Sequence, residues 1–223
     1  MKYRWWIIVA IVLFGIGIAF GLAAPASIVS LLSDELAALE ELGEVLAPFT
    51  LSTVIFIFLK NAVALLLSFA LSPIFCLVPI LALAVNGWLV ALVSTIVMEE
   101  KSLGFVLAGL LPHGIIELPA FFMGEAAALS FGAMAIILVL KKESRTVLVS
   151  TVKKDVGHAL LALALFFIVG IFHTIIIVAL LQKQTRDILM LNLNQNLKYL
   201  SIALALFLPA AVIETYVTPL LIT

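Results

Sequence analysis

The chain has 223 residues, of which 65% are hydrophobic and 11% charged, with a formal net charge of −1. A soluble domain carries about 45–50% apolar and about 25% charged residues, so this composition excludes a water-soluble globule and a disordered chain alike. With 12 Lys and Arg against 13 Asp and Glu there is no basic field for nucleic acid. The apolar residues come in unbroken runs of about twenty rather than roughly ten-residue alternating segments, which selects helices over a β-barrel. The fold class expected is therefore all-α: a polytopic helical membrane protein of one integral membrane domain, residues 1–223.

The first run, Trp5 to Ala24, follows Lys2 and Arg4. It is too long for the roughly 7–15-residue apolar stretch of a removable signal. It reads as a retained first span with a cytoplasmic N-terminus and Trp5 and Trp6 at headgroup level.

Ser33 to Glu44 carries Asp34, Glu35, Glu40, Glu41 and Glu44 with no Lys or Arg. Leu32, Leu36, Leu39, Leu42 and Leu46 recur at helical spacing, so residues 33–47 are expected to form an amphipathic extramembrane helix. Its negative charge suits the outer side of the membrane.

Leu51 to Ser72 is the second span and Ile80 to Met98 the third, joined by a charge-free turn between Pro73 and Pro79. The single Cys76 lies in that turn and allows no disulfide within the chain.

Leu103 to Leu140 has no basic residue, and the segment after it holds Lys141, Lys142, Arg145, Lys153 and Lys154. Such a cluster marks residues 141–155 as a cytoplasmic loop. An odd number of crossings between 103 and 140 follows. Pro112, Gly114 and Pro119 suggest how it is achieved: a broken or re-entrant element over 103–119, then a fourth span from Ala120. Gly157 to Leu181 is the fifth span and Leu200 to Leu221 the sixth, with both termini inside the cell.

Charged groups at membrane depth cost on the order of 2.5–3.5 kcal/mol each and are the informative residues. His113 and Glu117, four apart, share one helical face, where an imidazole and a carboxylate can hold a divalent cation, relay a proton or bond each other. Glu214, deep in the last span, needs a bundle partner, for which Lys60 and the His113/Glu117 face are the candidates. The candidate metal ligands are thus His113, Glu117 and Glu214, expected to converge on one site, with Lys60, Asn61 and Asn86 in support. Asn86 reads as glue between helices, Gly87 and Gly114 as sites of close backbone approach, and Glu125 as an interfacial carboxylate. His173 reads as a packing residue and His158 as interfacial.

No His-Glu-x-x-His, Gly-x-Ser-x-Gly or phosphate-binding loop occurs, so no catalytic activity is expected. Two classes of function remain: a membrane scaffold or assembly protein, and a transporter or channel for a cation or proton.

The ordered set Lys60-Asn61, Asn86-Gly87, Leu111-Pro112-His113-Gly114-Ile115-Ile116-Glu117-Leu118-Pro119-Ala120 and Ile213-Glu214-Thr215-Tyr216-Val217-Thr218-Pro219-Leu220 resembles the stage II sporulation protein M family. In spore-forming bacteria, members of that family act in engulfment as the membrane scaffold of a complex with two peptidoglycan-degrading partners. The resemblance implies a non-catalytic multi-pass protein of the cell membrane with cell-envelope protein partners. The acidic helix 33–47 is a docking candidate, and a homo-oligomer is compatible with the plentiful small-residue faces.

Overall fold

The computed structural model describes residues 2–25, 48–140 and 183–222. All regular structure among them is helical: α1 (Tyr3–Leu22), α2 (Leu51–Leu71), α3 (Leu77–Glu100), α4 (Leu103–Leu140), α5 (Lys183–Tyr216) and the short α6 (Thr218–Ile222). The first five are long and apolar enough to cross a membrane. The acidic helix expected at 33–47, the basic loop at 141–155, the fifth span Gly157–Leu181, His158 and His173 lie outside the described residues.

Helix α2 begins where expected, because the Thr50 side chain accepts a hydrogen bond from the Thr53 amide and satisfies one of the free amides of the first turn. The turn after it is tighter than the prolines suggested. Phe75 and Cys76 adopt left-handed φ values of 51° and 53° and reverse the chain at once. Helix α3 then starts at Leu77, and Pro79 sits in its first turn, where an amide has no partner to lose.

Burial pushes the Cys76 thiol up from 9.0 to about 11. The thiolate is the reactive form, so Cys76 should resist maleimide at neutral pH and react fully once detergent unfolds the chain. Because the folded state keeps the proton longer than the unfolded one, the stability linked to this group is present below its ordinary value and lost as pH rises toward about 11. Rapid labelling of the native protein at neutral pH would overturn this placement.

Two expectations are corrected here. Residues 103–119 are not a separate broken or re-entrant element. They are the first half of one continuous helix, α4, with Pro112 and Pro119 inside it. A proline removes one hydrogen bond and bends a helix, and in a bundle its neighbours can tolerate the gap. At 38 residues α4 is roughly 57 Å long, well beyond the about 30 Å of a bilayer's hydrocarbon core. One crossing by α4 still satisfies the odd count. Likewise, residues 183–199 are not a connection before the last span but the first half of α5. Ile188, Leu189, Leu193, Leu197 and Leu200 keep a helical spacing, and Asn196 bonds back to the Asn192 carbonyl at 2.9 Å, so a polar stretch continues the helix.

Helix directions follow from paired residues. Gly17 faces Ala84 while Gly21 faces Leu92, so α1 and α3 are parallel. Asn61 pairs with Glu117 and Ser68 with Glu125, so α2 and α4 are parallel. Tyr3 of α1 bonds the Met123 carbonyl and stacks on Tyr199 at 3.5 Å, while Glu117 meets Glu214, so α4 and α5 are antiparallel. Phe14 lies level with Glu214, so α1 and α5 run the same way. Tyr3 and Ile222 therefore lie toward opposite ends of the described bundle. The expectation that both termini share the cytoplasmic side finds no support in this arrangement.

Helix α4 touches every other described helix and has the largest buried share of the five long ones. Its small residues Ala120, Ala127, Ala128 and Ala135 admit Leu65 and Phe69 from α2 and Ala203 and Phe207 from α5 into one core. Among apolar helices in lipid this close fit supplies the association that the hydrophobic effect cannot. Alanine at the contact is what lets α4 serve as the axis.

Candidate functional site

Lys60, Asn61, Asn86, His113, Glu117 and Glu214 meet in a cavity of about 400 Å³ lined by residues of α1 to α5. Helix α4 presents His113 and Glu117 one turn apart, with His113 Nε2 and Glu117 Oε2 at 3.9 Å. Helix α5 brings Glu214 to them, and one ligand atom from each of the three residues lies within 4.8 Å of the others. Among the described residues this is the only group of three that could hold a metal ion. The structure thus brings His113, Glu117 and Glu214 close together.

The supporting residues divide. Asn61 donates from its side-chain amide to Glu117 Oε1 at 2.9 Å, tying α2 to α4. Lys60 lines the same cavity, and its charge acts on both Glu117 and Glu214. Lys60 stands at the tenth position of α2, exposed yet at the edge of the cavity. Asn86 lines the cavity too, but its amide bonds the Ala82 carbonyl of its own helix at 2.7 Å. It is not glue between helices as expected.

Thr218 was missed by the sequence reading. Its hydroxyl lies 3.3 Å from His113 Nδ1 and 3.4 Å from the Ile213 carbonyl, to which it donates, fixing the face that the imidazole turns to Glu117. The break between α5 and α6 at Val217 places it there, and the Thr218-Pro219 pair was its one sequence signal.

The glycines also divide. At Gly87 an added Cβ would meet the Phe14 carbonyl oxygen at 2.2 Å, the close backbone approach expected of it. At Gly114 an added Cβ would meet nothing within 4 Å. Gly114 does not admit another backbone; it leaves the cavity wall open beside His113.

Glu125 is corrected as well. It is not interfacial but 1% exposed, and accepts a hydrogen bond from the equally buried Ser68 at 2.5 Å. It stands two turns beyond Glu117 on the same face of α4, a spacing visible in the sequence.

Two carboxyl groups, those of Glu117 and Glu214, and one amine, that of Lys60, line the cavity beside the imidazole of His113. An imidazole nitrogen and two carboxylates form a mixed ligand set that suits a divalent transition metal better than magnesium or calcium, which prefer oxygen alone. Metal–nitrogen and metal–oxygen bonds of about 2.0–2.2 Å draw ligand atoms to roughly 3–4 Å of one another, so a modest contraction of this triad would close around an ion.

Five helices long and apolar enough to cross a membrane, around a cavity lined by ionisable residues, define a polytopic helical membrane protein. The chain belongs to the stage II sporulation protein M family, whose sequence model matches residues 10–219 and so contains every residue of the cavity. No curated protein and no solved structure matches the chain.

Proposed function

We propose that the protein is a non-catalytic component of the cell membrane whose cavity binds a divalent cation through His113, Glu117 and Glu214. The observation that carries this reading is the approach of three ligating groups from two helices to within 4.8 Å inside one cavity. An ion held there would lock α4 against α5, as suits a scaffold on which cell-envelope partners assemble. The acidic segment 33–47 is the docking surface of that reading.

The test is elemental analysis of the purified full chain with thermal stability across added divalent cations. A cation that binds only the folded form at 100 times its dissociation constant adds about 2.7 kcal/mol. Wild type should show a metal-specific rise in midpoint that Glu117→Gln abolishes. No bound metal and no shift would sink the proposal.

One observation favours transport as a second reading. A cavity of about 400 Å³, with an open wall at Gly114, is larger than a single ion requires. Cation flux into proteoliposomes, lost in Glu214→Gln, would move the protein from scaffold to transporter. Tight binding without flux would leave it a scaffold.

A further inference from the structure

Beyond the cavity, the seam between α2 and α4 repeats its own chemistry. Asn61 donates to Glu117, and one pairing further along Ser68 donates to Glu125. The two carboxyl groups are eight residues apart on α4, roughly 12 Å along its axis. Leu65 stands between the pairs. It lines the cavity on one side, and on the other its side chain covers Gly124, where an added Cβ would lie 2.4 Å from Leu65 Cδ2.

The second pair has no use in the cation site. Ser68 is the one hydrogen-bond partner of Glu125, and no charged group acts on it among the described residues. The Tyr3 hydroxyl of α1, bonded to the Met123 carbonyl nearby, is committed elsewhere. An ionised carboxylate so enclosed would stand with one hydroxyl donor and no counter-charge, at a large cost in solvation. A neutral carboxyl group carries no charge to solvate, and at the same contact its O–H can donate to the Ser68 hydroxyl.

We infer that Glu125, clasped by Ser68, is a proton-binding site that exchanges its proton with the cavity past the Leu65 side chain. The ligand is a proton and the donor is water in the cavity. Arrival and departure of the proton leave the covalent structure of the chain unchanged. Leu65 acts as the barrier because its branched end fills the space over Gly124, and a rotation of that end opens the way. The inference goes beyond the cation site and does not depend on metal binding.

The test is infrared difference spectroscopy on the full chain in lipid, without divalent cations. Wild type should show the carbonyl stretch of a neutral carboxylic acid that is lost in Glu125→Gln, a variant that keeps the shape and an acceptor for Ser68. In heavy water the band should shift as the proton exchanges, faster in Leu65→Ala. Because Leu65→Ala opens the core and can fail to fold, Gly114→Leu is the second variant. Its Cβ has free space, so the longer side chain extends into the cavity and should slow the exchange. Absence of any acid band lost in Glu125→Gln would overturn the inference, and so would an exchange rate indifferent to both Leu65→Ala and Gly114→Leu. Since no metal is present, a chain that binds no cation still gives an answer. Failure here and failure of the cation site remain separate results.

Discussion

Alanine at Gly87 should cost the folded bundle about 1–3 kcal/mol, toward the upper end, because the new methyl group meets main chain rather than a side chain that can turn away. Its Cβ would stand 2.2 Å from the Phe14 carbonyl oxygen, and α1 and α3 would have to part to admit it. Gly17 is the reciprocal position, with a Cβ falling 2.1 Å from the Ala84 carbonyl oxygen. Gly17→Ala should therefore cost a similar amount. The two together should cost less than their sum, since helices already separated by one methyl group have room for the other. Leucine at either position should prevent α1 from docking. Gly114→Ala is the control. Its Cβ meets nothing within 4 Å, so removing a helical glycine should gain up to about 1 kcal/mol. Thermal or detergent unfolding of these variants measures all of this. A Gly87→Ala protein as stable as Gly114→Ala would show that the α1–α3 seam does not hold the bundle.

Removal of Lys60 should tighten divalent cation binding by roughly tenfold or more, each tenfold being about 1.4 kcal/mol. The ammonium group lines the cavity with Glu117 and Glu214 and competes with a bound cation for the same carboxylates. Lys60→Met keeps the apolar stem and deletes only the charge. Titration calorimetry on Lys60→Met and Glu117→Gln makes a paired test, because the proposal requires opposite signs. Binding that weakens in Lys60→Met would assign the lysine a role in holding the site together, and the cation reading would fall. The direction also separates this site from a structural ion pair. A pair loses stability when either partner is removed, whereas a cation site gains affinity when its competitor leaves.

Membrane residence and the polar cast were determined by the sequence alone. Apolar runs of about twenty residues have one stable solution in lipid, since a helix satisfies its own main-chain bonds. A charge within such a run stands out against its surroundings, so Lys60, His113, Glu117 and Glu214 were legible at once. The spacing of His113 and Glu117 needed only the period of a helix to place them on one face. What lay beyond was decided by tertiary structure. Whether Pro112 ends a helix or merely bends it depends on the neighbours that pack around the gap, and the sequence names no neighbours. Residues 183–199, with Lys183, Arg186, Asp187 and Lys198, fell between the expected fifth and sixth spans, yet α5 runs through them because helical spacing, not charge, decides whether a segment can pack. Gly87 and Gly114 are the same residue type in similar apolar settings. One is pressed against a carbonyl and the other opens onto a cavity. Glu125 resembled a residue at the membrane surface until Ser68, 57 positions away in sequence, proved to be its partner. Contacts between distant residues fix each of these outcomes, and a one-dimensional pattern records only those between near ones.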